Sequence, residues 1–532
     1  MTMNRKFALI ILFSAVVSFG SYAQNGDKHL NDFDYVKFSD AWLTSQNASG
    51  LGVLPVSDMT YVEVSGTKSN GSFVNYDGSP DSYCGAGRSE SFVRLNPKTV
   101  LYGRVSYDYF HGKDMGGSAF VNPYFNSVNI VEYSDTTRGP KLKETYSLSG
   151  GVGCDLTDDL SIGIRADYDA VDYAKTKDLR YVDNLMDMKF TAGAKYRLGF
   201  ADIGLNYYYR RRVEYAKFEV EGTTDNNYYS LIDYGGFFGD WELFGESGVT
   251  SSSYKAPELS QLQGGSLQLG FRLGDAYWFN EFSLRSRNGY LGSTSSARIM
   301  YYEHSGMEAE YNGRIGVRKG NSMHALTLKW LYATLQNNQD IYNMVTDNTV
   351  TTVYYYGSNR VGDRISANGS LEYAGDFGIR GNYPVFTVKA GADAFYLASR
   401  TSVYPNYRDR EIASINGRLS GTYNMIGKEG ICSFALNLGY GAGSGEMKSD
   451  GTYNNPSAVS LVVRSTDFNL EREYEYFTAG KFRAGAALKY SRFLSKGMTV
   501  YAELSDDFLF SPKAVYLGKT ANVAMITVGL GF

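Results

Sequence analysis

The chain has 532 residues, with 52 Lys and Arg against 56 Asp and Glu, a net charge of −4, and four histidines. A charge balance this even, with no basic cluster, argues against a nucleic-acid partner. Cys84, Cys154 and Cys432 are too few and too widely spaced for a disulfide framework or a metal motif; at most one bridge could form.

The first residues predict a secretory signal. Arg5 and Lys6 precede an apolar run from Phe7 to Val17, and Ser21-Tyr22-Ala23 supplies small residues for cleavage, so residues 1–23 are expected to be removed. The run is shorter than the roughly 20 residues of a spanning helix. No Cys follows it, which argues against a lipoprotein anchor. Residues 24–57 show no clean alternation but carry Phe33, Tyr35, Phe38, Trp42, Leu43, Leu51 and Leu54. A disordered tail is typically poor in such groups, so this segment is expected to be ordered and to narrow whatever interior follows.

From residue 58 to the end the signal is alternation at period two. Leu160, Ile162, Ile164, Ala166 and Tyr168 alternate with Arg165, Asp167 and Asp169, and Met188, Phe190, Ala192, Ala194 and Tyr196 alternate with Lys189, Lys195 and Arg197. Met307, Ala309, Tyr311 and Ile315 alternate with Glu308, Glu310, Arg314 and Arg318. In Phe386–Tyr396 one face has an aromatic at each end with Val388, Ala390, Ala392 and Ala394 between; Lys389 and Asp393 lie on the other. Ten steps of about 3.3 Å, tilted about 45°, give a height of about 23 Å, close to the apolar band of an outer membrane. Phe434–Tyr440 and Phe482–Tyr490 repeat the pattern, the latter with Arg483 and Lys489 on the polar face.

Short turns near Asn96, Thr157, Gly199, Gly274, Gly320, Lys428 and Ser495 alternate with long polar segments at about 111–141, 214–264, 336–361 and 444–475. Short turns on one side and long loops on the other are the outer-membrane arrangement. The reading is all-β: a transmembrane antiparallel barrel of about 18 strands over residues 58–532, with sixteen the alternative count, both barrel ends on the periplasmic side and long extracellular loops. Lys189, Arg197, Arg314, Arg318, Lys389, Asp393, Arg483 and Lys489 are expected to line the lumen, because charge does not face lipid cheaply.

The chain closes on Ile526, Val528, Leu530 and Phe532, alternating with Thr527, Gly529 and Gly531. This resembles the C-terminal strand that the barrel-assembly machinery of Gram-negative bacteria reads. The pattern as a whole resembles uncharacterised outer-membrane β-barrel families of such bacteria, which implies residence in the cell outer membrane in contact with its lipid. More locally, Trp42-Leu43-Thr44-Ser45-Gln46-Asn47-Ala48-Ser49-Gly50-Leu51 is similar to the Asn-Pro-Ala-Gly segment near the start of long-chain fatty-acid transporter barrels. That resemblance implies an N-terminal hatch inside the lumen, formed here by Trp42, Asn47, Gly50 and Leu51. The Pro is missing, and an ordinary polar lead-in is the other reading.

Little in the chain points to an enzyme or a cofactor. No nucleophile elbow, phosphate loop or paired-histidine spacing is present. His111 stands between Asp108 and Asp114 at a predicted outer rim, where a base would need them; a hydrated loop histidine is the plainer reading. The expected function is a passive channel or transporter for small or hydrophobic solutes. The alternative is a non-conducting barrel that displays its loops to a protein or glycan partner.

Overall fold

The computed structural model describes residues 30–532 apart from 220–227, 247, 254, 296, 454–463 and 495–496. The expected signal peptide and the Ser495 turn lie outside the described residues. A short helix α1 (Phe33–Ser39) opens the described chain. Strands β1 (Asp58–Gly71), β2 (Asp81–Asn96), β3 (Thr99–Met115), β4 (Asn129–Glu132), β5 (Gly139–Asp155), β6 (Leu160–Lys175), β7 (Arg180–Arg197) and β8 (Ala201–Glu219) follow. Next come β9 (Tyr229–Asp233), β10 (Phe238–Leu243), β11 (Glu258–Leu273), β12 (Ala276–Gly292), β13 (Met300–Lys319), β14 (Ser322–Asp347), β15 (Val350–Phe377), β16 (Phe386–Val403), β17 (Asn406–Ile426) and β18 (Gly430–Thr452). The chain ends with β19 (Arg464–Ser465), helix α2 (Asp467–Thr478), β20 (Lys481–Phe493), β21 (Thr499–Phe510) and β22 (Thr520–Gly531).

Eighteen of these strands form one antiparallel sheet that closes on itself, β22 pairing with β1 through Val64 opposite Val528. The count is eighteen, not sixteen. Phe532 and Thr60 exchange backbone hydrogen bonds at 2.9 and 3.3 Å, so the chain's last residue seals the seam. β4, β9, β10 and β19 form a separate four-stranded sheet, built from the connections at the extracellular end.

The outside of the barrel is apolar. Leu205, Leu436 and Leu504 are 61, 67 and 60 % exposed, and their neighbours along the same rows are also apolar. A soluble protein rarely leaves a contiguous apolar patch of this extent facing water; lipid is its solvent, and a closed barrel of this kind leaves no edge unpaired in the hydrocarbon. The protein is therefore an outer-membrane β-barrel. Ile526, Val528 and Leu530 stand on this outer face. Cys84, Cys154 and Cys432 are free.

Two expectations need correction. The segment 336–361 is not a loop: β14 and β15, of 26 and 28 residues, run through it as a hairpin turning at Asn348 and Thr349, both at positive φ. Both its faces meet water beyond the membrane, so it loses the apolar–polar contrast that marks the other strands, while its Val, Thr and Tyr content still favours extended backbone. His111 is not poised between two carboxylates. It stacks on Tyr83 at 4.9 Å, whereas Asp108, three residues earlier and so on the opposite face, binds Arg88 at 3.1 Å.

Candidate functional site in the barrel lumen

Residues 30–57 lie inside the periplasmic end of the barrel. α1 has seven residues, too few to be stable alone, and is held by its surroundings. Asp32 caps it by accepting from the Tyr35 N–H at 2.7 Å. Asp40 caps the following turn, Ala41–Leu43, through the Trp42 N–H at 2.9 Å, and burial pushes its carboxyl above the ordinary range. Trp42 is 1 % exposed. Its indole N–H donates to the Tyr277 hydroxyl at 2.6 Å, its ring meets Phe279 edge-on at 5.1 Å, and the Lys195 ammonium lies 5.1 Å above it.

Asn47 is fully buried. Its amide N–H₂ reaches the Ala194 carbonyl at 3.1 Å, the Leu205 carbonyl at 3.3 Å and Gln268 Oε1 at 3.0 Å, while its Oδ1 accepts from the Ser49 N–H and hydroxyl. The chain gets this close to the wall because the wall is bare there. Gly153, Gly163 and Gly193 sit directly opposite one another on β5, β6 and β7. A Cβ on them would stand 2.5 Å from the Ala48 carbonyl oxygen, 2.3 Å from the Ser49 nitrogen and 2.5 Å from Asn47 Oδ1. Three glycines thus make a track for the backbone of residues 47–49. Gly50 is required by the segment itself, since a Cβ there would meet the Trp42 ring at 2.7 Å. Leu51 packs with Val36, Leu43, Met59, Phe92 and Val100, in a different cluster from that of Trp42 and Phe279.

Polar contacts complete the docking. Ser45 donates to Glu281 at 3.0 Å, Gln46 donates to Glu310 at 3.2 Å and accepts from Arg285 at 3.0 Å, and Lys37 binds Glu90 at 2.6 Å.

From the extracellular end a second body enters the lumen. Phe125, in the connection between β3 and β5, lies among the guanidinium groups of Arg210, Arg212 and Arg287 at 4.6, 4.5 and 4.0 Å, a cation–π arrangement favoured where water is excluded. Its neighbours are fixed by buried carboxylates: Glu214 accepts from the Val121 N–H at 2.7 Å and Asn126 Nδ2 at 2.8 Å, and Glu258 from the Ser127 N–H at 2.6 Å. On the other side α2 stacks Phe477 on Phe395 at 4.5 Å and pairs Glu473 with Arg410.

Beside α1 an unfilled space of about 520 Å³ remains. Arg314, Lys389 and Lys489 line it together with Glu372, Arg418 and Glu503. Arg314 also donates to the Phe38 carbonyl, and Asp393 accepts from Arg418 at 2.5 Å. Arg197 and Arg318 line a second space of about 380 Å³ near Asp40 and Trp42. Lys189 stands opposite Asp167 on the inward rows, and Arg483 opposite Gly439. Of these charges Arg197, Arg314, Arg318, Lys389 and Lys489 line open space, and Asp393 is paired with Arg418. Sequence reasoning missed the glycine track, which depends on the register of three successive strands, and the arginine cluster around Phe125, which joins β8 to β12 and the connection before β4.

No curated protein sequence matches this chain. Among solved structures it is similar to BauA, the ferric preacinetobactin receptor from Acinetobacter baumannii, with 7 % identity, 89 % of this chain and 80 % of that one covered, and a TM-score of 0.37. It is also similar to the FrpB iron transporter from Neisseria meningitidis in its apoprotein form, with 8 % identity, 92 % and 83 % covered, and a TM-score of 0.38. A family model covers residues 48–532, from the glycine-docked segment to the closing strand, and the chain belongs to that family, the family of unknown function DUF6850.

Proposed function

We propose that the protein is an outer-membrane transporter whose lumen is closed at rest, and that residues 30–57 form a hatch over the passage of small polar solutes. The observation that carries this reading is the docking of Asn47, Ala48 and Ser49 on the glycine track, next to a space of about 520 Å³ lined by charges of both signs. Ser45, Gln46, Asn47 and Lys37 attach through polar contacts, for which water can compete when the segment leaves. The charged lining favours a polar or zwitterionic solute over a hydrophobic one, since an apolar solute would not repay the desolvation of those groups.

A second reading, a barrel that displays its loops, is favoured by the outer sheet, which is fixed by the packing of Val131 and Leu231 against Tyr76, Phe237 and, from α2, Leu470. Planar-bilayer conductance separates the two. Deleting residues 25–50 behind an intact signal peptide, alone and together with Phe125→Ala, should give folded barrels of rising conductance. If neither variant conducts more than the full chain, the transport reading fails and display stands.

A further inference from the structure

At the extracellular rim two neighbouring strands differ in length. β14 pairs with β13 only as far as Gln339, opposite Tyr302, and runs on to Asp347 against β15 alone. Beside this free edge, where the outer sheet approaches the rim, lies a notch of about 530 Å³, within the usual size of a small-molecule site. Tyr229 and Trp241 of the outer sheet form one wall, their ring centres 5.3 Å apart. Tyr301 and Tyr342 of the barrel form the other, edge to face at 6.1 Å.

Between the aromatic walls stand three carboxylates, Asp240, Glu242 and Asp340, and no Lys, Arg or His is among the lining residues. Asp240 accepts from Tyr234 at 2.6 Å and Gln339 at 3.1 Å, and Glu242 from the Thr250 N–H at 3.2 Å. Asp340 is different. It is 9 % exposed, and its Oδ2 has no hydrogen-bond partner among the described residues. The charge that acts on it is that of Glu303, of the same sign. Two other buried carboxylates, Glu132 and Glu473, are each paired with a cation, Lys175 and Arg410. Among the described residues no Lys, Arg or His lines the notch to offset the negative charge here.

A neutral ligand would leave that charge as it is. A bare metal ion would make no use of the aromatic walls, and no metal-binding group of three or more His, Cys, Asp or Glu is found among the described residues. A cation with an organic body satisfies both halves of the notch, pairing with Asp340 while its alkyl or planar part lies against the rings. We infer that this notch is an extracellular binding site for small organic cations of the alkylammonium or guanidinium class. The inference does not depend on whether the barrel conducts.

The test uses the full-length protein in detergent, with agmatine, spermidine and tetramethylammonium as probes, maltotriose as a neutral comparison, and isothermal calorimetry at low ionic strength. At least one cation should bind saturably, and added salt should weaken it. Asp340→Asn should weaken it by about tenfold or more, the loss of one charged hydrogen-bonding partner. Asp340→Glu, which keeps the charge, should retain most of the binding, and Tyr342→Ala should lose part of it. Each variant is scored after its heat-shifted gel mobility shows a closed barrel. The inference is overturned if none of the three cations binds, if maltotriose binds as well as they do, or if Asp340→Asn binds like the unaltered protein. It is equally overturned if Asp340→Glu fails as badly as Asp340→Asn, because charge would then not be the cause.

Discussion

Gly163→Ala is the smallest change that should release the N-terminal segment without harming the barrel. The added Cβ would stand 2.3 Å from the Ser49 nitrogen and 2.4 Å from the Ala48 carbonyl carbon. Both are backbone atoms, so no side chain can swing aside, and the overlap is about 1 Å against ordinary contact distances. Gly163 has no positive φ, so the strand itself accepts alanine and even gains from it. The segment must instead lift, and Asn47 then loses its contacts to Ala194, Leu205 and Gln268. At about 1 kcal/mol each these amount to about 3 kcal/mol, or about a hundredfold shift in the ratio of docked to undocked segment. Limited trypsin digestion reads this directly, because Lys37 lies in the segment, held by Glu90. Cleavage at Lys37 should be much faster in the variant, while the heat-shifted mobility of the barrel stays as before. Unchanged cleavage would refute the view that the glycine track positions the segment. Loss of the heat shift would show that Gly163 serves the wall and not the segment.

Ala486 and Ala487 are neighbours on opposite faces of β20, the first toward lipid and the second lining the 520 Å³ space; an arginine at 486 should cost about 2–4 kcal/mol in urea unfolding from liposomes, and one at 487 clearly less, with equal costs counting against the facing. Trp42→Phe keeps a smaller aromatic ring and removes the N–H···O bond to Tyr277; the lost bond alone, at about 1 kcal/mol, should raise the trypsin rate at Lys37 by about fivefold or more, and an unchanged rate would mean that neither the bond nor the full indole holds the segment. Glu242, in the outer sheet, is raised by burial from 4.5 to about 7, against the pull of the Thr250 N–H. An acid raised on folding favours the folded form below its unfolded pKa and loses that contribution as pH rises through the folded value. Protease cleavage within residues 228–253 should therefore quicken between about pH 5 and pH 8, and Glu242→Gln should flatten that dependence; a profile identical in both would assign the effect elsewhere.

The barrel wall was legible along the chain for a simple reason. Each strand has lipid on one face and a polar lumen on the other, so a two-residue period is written into every segment, as in Phe386–Tyr396 and Phe482–Tyr490. The rule stops where both sides are wet, which is why the hairpin around Asn348 reads as loop although it is strand. The apolar content of residues 24–57 likewise pointed to a segment ordered against the barrel interior, while the sequence did not show which strands it rests on.

Local pattern, then, determined the all-β class and the membrane environment and pointed to about 18 crossings with sixteen left open, because these depend on neighbours two residues apart and on the solvent each meets. Closure of the sheet decided the rest. Gly153, Gly163 and Gly193 become one track only when the register of β5, β6 and β7 sets them side by side. Arg210 and Arg287, 77 positions apart, converge on Phe125 only because β8 and β12 curve around the same lumen. The notch at Asp340 exists because β14 outruns β13 and the outer sheet approaches the gap. Interactions across a barrel's interior are fixed by the stagger and curvature of all its strands together, and no stretch of sequence short enough to show a period contains that information.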